Sequence, residues 1–414
     1  MTPHAYLRRF RPDAALLTGE SFNQGPVQVE EGDVVGVVLL GLGGPSRPDE
    51  VVPFLYSRLM DPAEVHLPVP RWARRRVAQA LAYRRGRALA RAFEMIGGTS
   101  PLRRHASEQA VALQRRLTHR YGAATGAEFR TYVAMRHRDP SMAAARAQMA
   151  KDGVTKAVLL PLQPHFSATT TGSSLAYWRA LDAELGAPTW TESLATEYAT
   201  QPRFVRALSE RIDEGLQRFA REDRERAQIL FVAQGVSHRH RVHFGDPYCC
   251  HLHATVRAVA KERGEDRPVH LAFQAPIGGG RTAGRSVAEA IDDLADDGAS
   301  AVLAVPISFI SDRVEAAFDL DVTARARAQS SGIADFEVTS GLNCHPLLIE
   351  ALAECVGAHL QPAARSAPPL FSALPLDGRA PEPCPVCARR LPVRQWAVGP
   401  TPLVPSQPDH RSAA

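Results

Sequence analysis

Residues 152–167 read DGVTKAVLLPLQPHFS, and residues 297–311 read DGASAVLAVPISFIS. Each stretch opens on Asp-Gly, a helix stop, runs through an uninterrupted apolar segment and finishes in a polar loop. Apolar runs without alternation belong to strands buried on both faces, the habit of parallel sheets covered by helices. Four more runs have the same character: 34–42 (VVGVVLLGL), 129–135 (FRTYVAM), 228–234 (QILFVAQ) and 269–275 (VHLAFQA). Between them lie segments such as SEQAVALQRRLTHRYG (107–122), whose apolar residues recur at helical spacing before a glycine stop. Strands alternating with helices give the α/β class. The two similar stretches, one domain length apart, predict two Rossmann-like, doubly wound parallel-sheet halves whose strand-end loops face a central cleft. We expect a 1–32 N-terminal extension, a 33–175 first half, a 176–361 second half and a 362–414 proline-rich, disordered tail.

The chain has 414 residues, 45% hydrophobic and 22% charged, and a net charge of +5. These are the proportions of a soluble globular protein with cores large enough to need no disulfides. No apolar run reaches bilayer-spanning length. The N-terminal segment lacks the continuous apolar core of a signal peptide, so a cytoplasmic location is expected. The six cysteines are not a disulfide framework, and only Cys384 and Cys387 have ligand-like spacing. Arginine gathers in RWARRRVAQALAYRRGRALAR (71–91), read as a helix with one basic face. That face is either simply solvated or drawn to an anionic partner, a membrane surface included. No nucleic-acid module is present, so nucleic acid is not an expected partner.

Three strand-to-helix turns carry residues capable of chemistry. In PISFISDRVEAAFDLDV (306–322), Asp312, Glu315 and Asp319 fall at i, i+3 and i+7, which on a helix aligns three carboxylates on one face. Such a row either complements the helix dipole or binds a cation and relays protons. In LLPLQPHFSATTTGSSL (159–175), Thr170 and Ser173 belong to a hydroxyl-rich turn that either caps a helix or holds anionic groups at its N-terminus. In LLGLGGPSRPDEVVPFLYSRLMDP (39–62) the glycines fall short of a dinucleotide fingerprint.

These stretches, with IGGTSPL (96–102), AMRHRDP (134–140) and GDPY (245–248), resemble successive landmarks of the ferrochelatase family. They stand in family order from about residue 34 to 360. The resemblance implies two Rossmann-like domains of the class II chelatase kind around a porphyrin cleft, and insertion of Fe²⁺, as substrate, into protoporphyrin IX or coproporphyrin III in haem biosynthesis. It implies that Glu315, with Asp312 and Asp319, removes protons or delivers metal. It also implies that Leu42 and Arg136 meet the porphyrin, with Thr170 and Ser173 beside them, and that the arginine-rich helix lies near the cleft lip.

The same resemblance exposes departures. Where the family carries a histidine in Ser-Ala-His-Gly, this chain has VAQG, so Gln234 stands in the place of the base. An amide donates and accepts hydrogen bonds but takes up no proton near neutral pH. The family's second histidine corresponds to Arg313, which stays protonated and repels a metal cation. Two cluster ligands have counterparts in Cys384 and Cys387, but Ala168 and Pro392 occupy the other two places. Two ligands do not hold a [2Fe–2S] cluster, so no cluster is expected. Three accounts of Gln234 stand: an active chelatase with a relocated base, helped by His238, His240 or His243; a porphyrin- or haem-binding relative without catalysis; or a chelatase for another metal or tetrapyrrole. The retained acidic residues favour the first. Glu315 is then the acid/base group, and Gln234 meets the ring nitrogens or the metal through its amide.

Overall fold

The computed structural model describes residues 1–95, 99–236, 246–276, 282, 284–313, 318–362, 373–374 and 395–396. Strand β1 is Val27–Val29; the first large sheet uses β2 (Val34–Gly41), β3 (Glu128–Met135), β4 (Lys156–Pro161) and β5 (Thr191–Leu194). The second uses β6 (Gln228–Ala233), β7 (Val269–Phe273), β8 (Ala301–Pro306) and β9 (Asp335–Val338). Strand order is β3-β2-β4-β5 in one and β7-β6-β8-β9 in the other, and every pairing within them is parallel. The two sheets therefore share one topology, as the repeated stretches predict. Strands β4 and β8, the two apolar runs of the repeat, occupy equivalent places beside the first strand of each half.

Alternation along the buried strands splits their side chains between two cores. Val35, Val37 and Leu39 of β2 meet Ile229, Phe231 and Ala233 of β6 in one hydrophobic cluster that spans both halves. Val38 and Leu40 face a second cluster, and Leu230 and Val232 a third, each under its own helices. Because successive strand residues point to opposite faces, a run apolar at every position is what two covered faces require. The helix Pro346–Gly357 completes the shared core with Leu348 and Leu352. Its Glu354 accepts hydrogen bonds from Gln201 Nε2 (2.6 Å), Arg203 Nε (2.7 Å) and Arg120 Nη1 (3.2 Å), which draws both halves onto one buried carboxylate.

Two expectations are corrected. The first sheet takes its outer strand from Thr191–Leu194, beyond the expected boundary at 175, because this short edge strand pairs with β4. Residues 1–32 are not a bare extension. They form the helices Pro3–Arg9 and Ala14–Thr18, bury Tyr6, Leu7, Phe10 and Leu17, and contribute β1, which pairs in parallel with β10 (Leu360–Pro362). In the tail, β11 (Ala373–Leu374) and β12 (Gln395–Trp396) pair antiparallel; Cys384 and Cys387 lie outside the described residues. The arginine-rich segment is a helix, Arg71–Met95, with Trp72 81% and Tyr83 60% exposed. Among the described residues, no helix is long and apolar enough to cross a membrane.

Candidate active site

The carboxyl ends of β6 and β8 open toward the helix Val51–Met60 of the first half. A cavity of about 190 Å³ lies between them, walled by Phe54, Leu55, Arg58 and Leu89 on one side and Gln234, Gln274, Phe309, Arg313 and Asp319 on the other. A second cavity, about 280 Å³, continues behind it and shares Gln234, Gln274, Phe309 and Arg313. This is the place where parallel sheets collect ligands, outside the carboxyl ends of the strands.

Gln234 stands at the tip of β6, as the sequence predicts. Its backbone is held at both ends: the N–H donates to Ser308 Oγ (2.8 Å) and the carbonyl accepts from the Tyr248 hydroxyl (3.2 Å). Tyr248 and Ser308 are themselves hydrogen-bonded at 2.6 Å. Next to it, Gly235 passes so close to Gln274 that a Cβ would lie 1.9 Å from the carbonyl oxygen of that residue. The side-chain Oε1 of Gln234 is buried and has no hydrogen-bond partner among the described residues. Arg313, 6% exposed, lies over the Phe309 ring with its guanidinium carbon 3.8 Å from the centroid, a cation–π contact at the floor of the cleft.

Asp312 is not part of a helix. Asp312 lies in the turn after β8, and Phe318–Ala324 is the helical segment beyond it. The Asp312 oxygens accept from Gly341 N (2.6 Å) and Asn343 Nδ2 (2.7 Å), while its own N–H donates to Asn343 Oδ1 (2.9 Å). The carboxylate thus locks the turn to residues from after β9, a pairing that helical spacing does not reveal. Asp319, exposed at the mouth, accepts from Gln274 Nε2 at 3.0 Å. Glu315 lies outside the described residues, as do His238, His240 and His243.

A second polar cluster sits behind the first-half wall. Arg136, 7% exposed, donates from Nη2 to Asp61 Oδ2 (2.7 Å), and the Ser173 hydroxyl donates to the same oxygen at 2.7 Å. The guanidinium carbon of Arg136 is 3.9 Å from the Tyr177 ring centroid and 4.5 Å from that of Tyr6. Beside it, Glu64 pairs with Arg58 and accepts from His137 Nε2 at 2.8 Å, while Ser57 lies 2.9 Å from His137 Nδ1. Burial alone would raise the Glu64 pKa, but Arg58 and His137 outweigh it and hold the carboxyl down at about 2. Burial, with the Arg136 charge, lowers the His137 pKa against the pull of the Glu64 carboxylate. Arg58 is the member of this cluster that reaches the cleft wall.

Leu42 and Thr170 are also buried. The Leu42 carbonyl accepts from His137 N at 3.1 Å. Thr170 sits in the Ala168–Gly172 turn that Ser167 caps, and Asp246 anchors that turn by accepting from Ser167 Oγ (2.7 Å) and Ala168 N (3.0 Å). Asp246 also accepts from Tyr248 N at 3.0 Å and so ties the two halves together. Burial pushes its carboxyl up to about 6, against the pull of those hydrogen bonds.

Residues 34–360 match the family model described as Ferrochelatase. Among curated proteins, one named "Ferrochelatase" from Synechococcus sp. (strain JA-2-3B'a(2-13)) is 36% identical over 334 residues, 80% of this chain and 95% of the relative. A second of that name from Cyanothece sp. (strain PCC 7425 / ATCC 29141) is 34% identical, covering 80% and 84%, and a third from Gloeobacter violaceus is 34% identical, covering 78% and 96%. The chain belongs to the ferrochelatase family.

Within that ferrochelatase frame, the fold brings Gln234, Arg313 and Asp319 of the expected residues to one cleft, and gathers Arg136 and Ser173 on Asp61 instead. Sequence reasoning passed over Gln274, Phe309, Arg58, Phe54 and Leu89 as cleft residues. Gln274 and Phe309 carry a signal in hindsight, since each ends or follows a buried strand as Gln234 does. Leu89 and Phe54 carry none, because they look like any apolar residue on a helix.

Proposed function

We propose that this ferrochelatase-family chain inserts ferrous iron into a porphyrin, the metallation step of haem biosynthesis. The observation that carries the reading is the cleft itself, with apolar side chains of one half facing polar strand-end residues of the other. Phe54, Leu55 and Leu89 suit the face of a flat macrocycle, and the amides and Asp319 suit its polar centre and the metal.

Insertion replaces two pyrrole N–H protons by Fe²⁺, with no change of oxidation state. Gln234 accepts neither proton, and Arg313 remains a cation, so the protons go to carboxylates. Glu315 is assigned as the acceptor at the ring, with Asp319, held by Gln274, as the group that passes protons toward solvent. Asp312 serves the turn through its two hydrogen-bonded oxygens. Protoporphyrin IX and coproporphyrin III both offer the ring the walls suit. The helix Arg71–Met95 presents Arg71, Arg75, Arg76, Arg84, Arg87 and Arg91 on its exposed face beside Trp72 and Tyr83. That combination suits a peripheral, salt-sensitive contact with an anionic bilayer.

The test is anaerobic mixing with ferrous iron and each porphyrin, followed by absorbance. The natural chain is expected to turn over, and Glu315→Ala to abolish insertion while porphyrin still binds. Full activity in that variant would remove Glu315 from its role. Binding without insertion in the natural chain, with insertion restored by Gln234→His, would instead establish a porphyrin-binding protein without catalysis.

A further inference from the structure

Gln234 is held with unusual care for a residue that takes up no proton. Both of its backbone groups are bonded to side chains, Ser308 Oγ at 2.8 Å and the Tyr248 hydroxyl at 3.2 Å. The following glycine leaves no room for a Cβ, so the strand tip cannot shift past Gln274. The outcome is an amide that lines both cavities of the cleft, with a buried Oε1 that no donor among the described residues meets. An unmet buried acceptor destabilises a protein by more than an ordinary hydrogen bond stabilises it. Such a group calls for an explanation, and at the lining of a cleft a ligand that supplies the donor is one.

A ligand that meets it carries an N–H or O–H to the polar side of the cleft, opposite the apolar wall of Phe54, Leu55 and Leu89. A metal-free tetrapyrrole has two N–H groups at its centre and no other donor there. We propose that Gln234 distinguishes substrate from product: its amide oxygen accepts an inner N–H of the metal-free ring, and metallation removes that donor. The chemistry balances without an electron transfer. One Fe²⁺ enters, two N–H bonds break, and two protons leave on the carboxylates. The product then meets an acceptor with nothing to donate, which weakens its hold and favours release. In place of a base, the strand tip carries a sensor of the ring's protonation. This inference rests on the proposed function.

One neutral hydrogen bond gained and then lost corresponds to about tenfold in affinity. The test is equilibrium binding of coproporphyrin III and protoporphyrin IX, each as the free base and as its nickel(II) and zinc(II) complexes. Nickel(II) in a porphyrin stays four-coordinate, whereas zinc(II) accepts an axial ligand. The natural chain should bind the free base about tenfold tighter than the nickel complex. Gln234→Leu should weaken free-base binding about tenfold, leave the nickel complex unchanged and bring the ratio to about one. Gln234→Met provides the same comparison if the leucine variant does not fold. A ratio near one in the natural chain, or an unaltered ratio in both variants, overturns the proposal. Tighter binding of the zinc complex than of the free base, lost in the variants, also overturns it and makes the amide a metal ligand. The two readings separate cleanly: iron insertion with a ratio of one sinks only the sensor, whereas a natural chain that neither binds nor metallates a porphyrin sinks the proposed function as well.

Discussion

Arg136 is the residue on which the family resemblance and the tertiary structure pull furthest apart. The resemblance makes it a porphyrin contact; the structure buries it against Asp61, with the Tyr6 and Tyr177 rings on the guanidinium. Substituting Arg136→Met keeps a similar apolar stem and removes the charge. Among the described residues the Asp61 carboxylate, 1% exposed, then keeps the Ser173 hydroxyl and Ala63 N–H as donors and loses its directly paired cation, with Arg74 held on its backbone carbonyl instead. Breaking one side of a buried pair costs roughly 3–5 kcal/mol, and the two cation–π contacts add about 0.5–2 kcal/mol each. Set against a typical total stability of about 5–15 kcal/mol, this is a large fraction. Urea unfolding followed by tryptophan fluorescence should therefore show a strongly lowered midpoint. The double variant Asp61→Asn/Arg136→Met leaves no charge unpaired and should recover much of the loss, a coupling that a double-mutant cycle isolates. An unchanged midpoint in Arg136→Met together with lost porphyrin binding would refute the reasoning and return Arg136 to the cleft.

The remaining predictions concern pH and close packing. Asp246 has a folded pKa of about 6, above its ordinary 3.8, so its stabilising contribution is complete below 3.8 and is lost as pH rises through about 6. Between pH 7.5 and 5.5 the natural chain should gain roughly 1 kcal/mol from this group, a gain absent from Asp246→Asn in urea titrations at the two pH values; matching pH dependence in both would dismiss the assignment. Glu64 has the opposite sign: its contribution is present above 4.5 and lost as pH falls toward about 2. Acid unfolding of Glu64→Gln should show a flatter limb in that window, on top of a loss of roughly 3–5 kcal/mol at pH 7. Gly235→Ala sets a methyl group against the Gln274 carbonyl oxygen; it should displace the Gln234 tip and reduce insertion while leaving far-ultraviolet dichroism unchanged, and undiminished insertion would show that the tip tolerates movement.

How much of this was legible beforehand depends on whether a feature is local in the chain. Residues 34–42, 129–135, 156–162, 228–234, 269–275 and 300–310 were readable as strands because burial on both faces leaves a continuous apolar run, and each matches an observed strand within a few residues. Strands β5 and β9 were not, since four-residue edge strands such as TESL and DFEV, each with two residues buried, look like loops. Asp312 was misplaced onto a helix face because i, i+3, i+7 spacing is necessary for such a face but does not make the backbone helical. Gln234 at the strand tip was readable; that its Oε1 is buried without a partner among the described residues was not.

Composition, periodicity and the repeated strand–loop unit thus settled the α/β class and the two matching halves, because backbone hydrogen bonding and burial impose their periods residue by residue along the chain; the family came from the resemblance of its ordered motifs. Which partner a buried charge finds was decided only in three dimensions. Asp312 meets Asn343, Arg136 meets Asp61, and Val27 pairs with Leu360 across nearly the whole chain. Those choices follow from which elements pack together and which buried charges must find a counter-charge, and no spacing along the sequence encodes them.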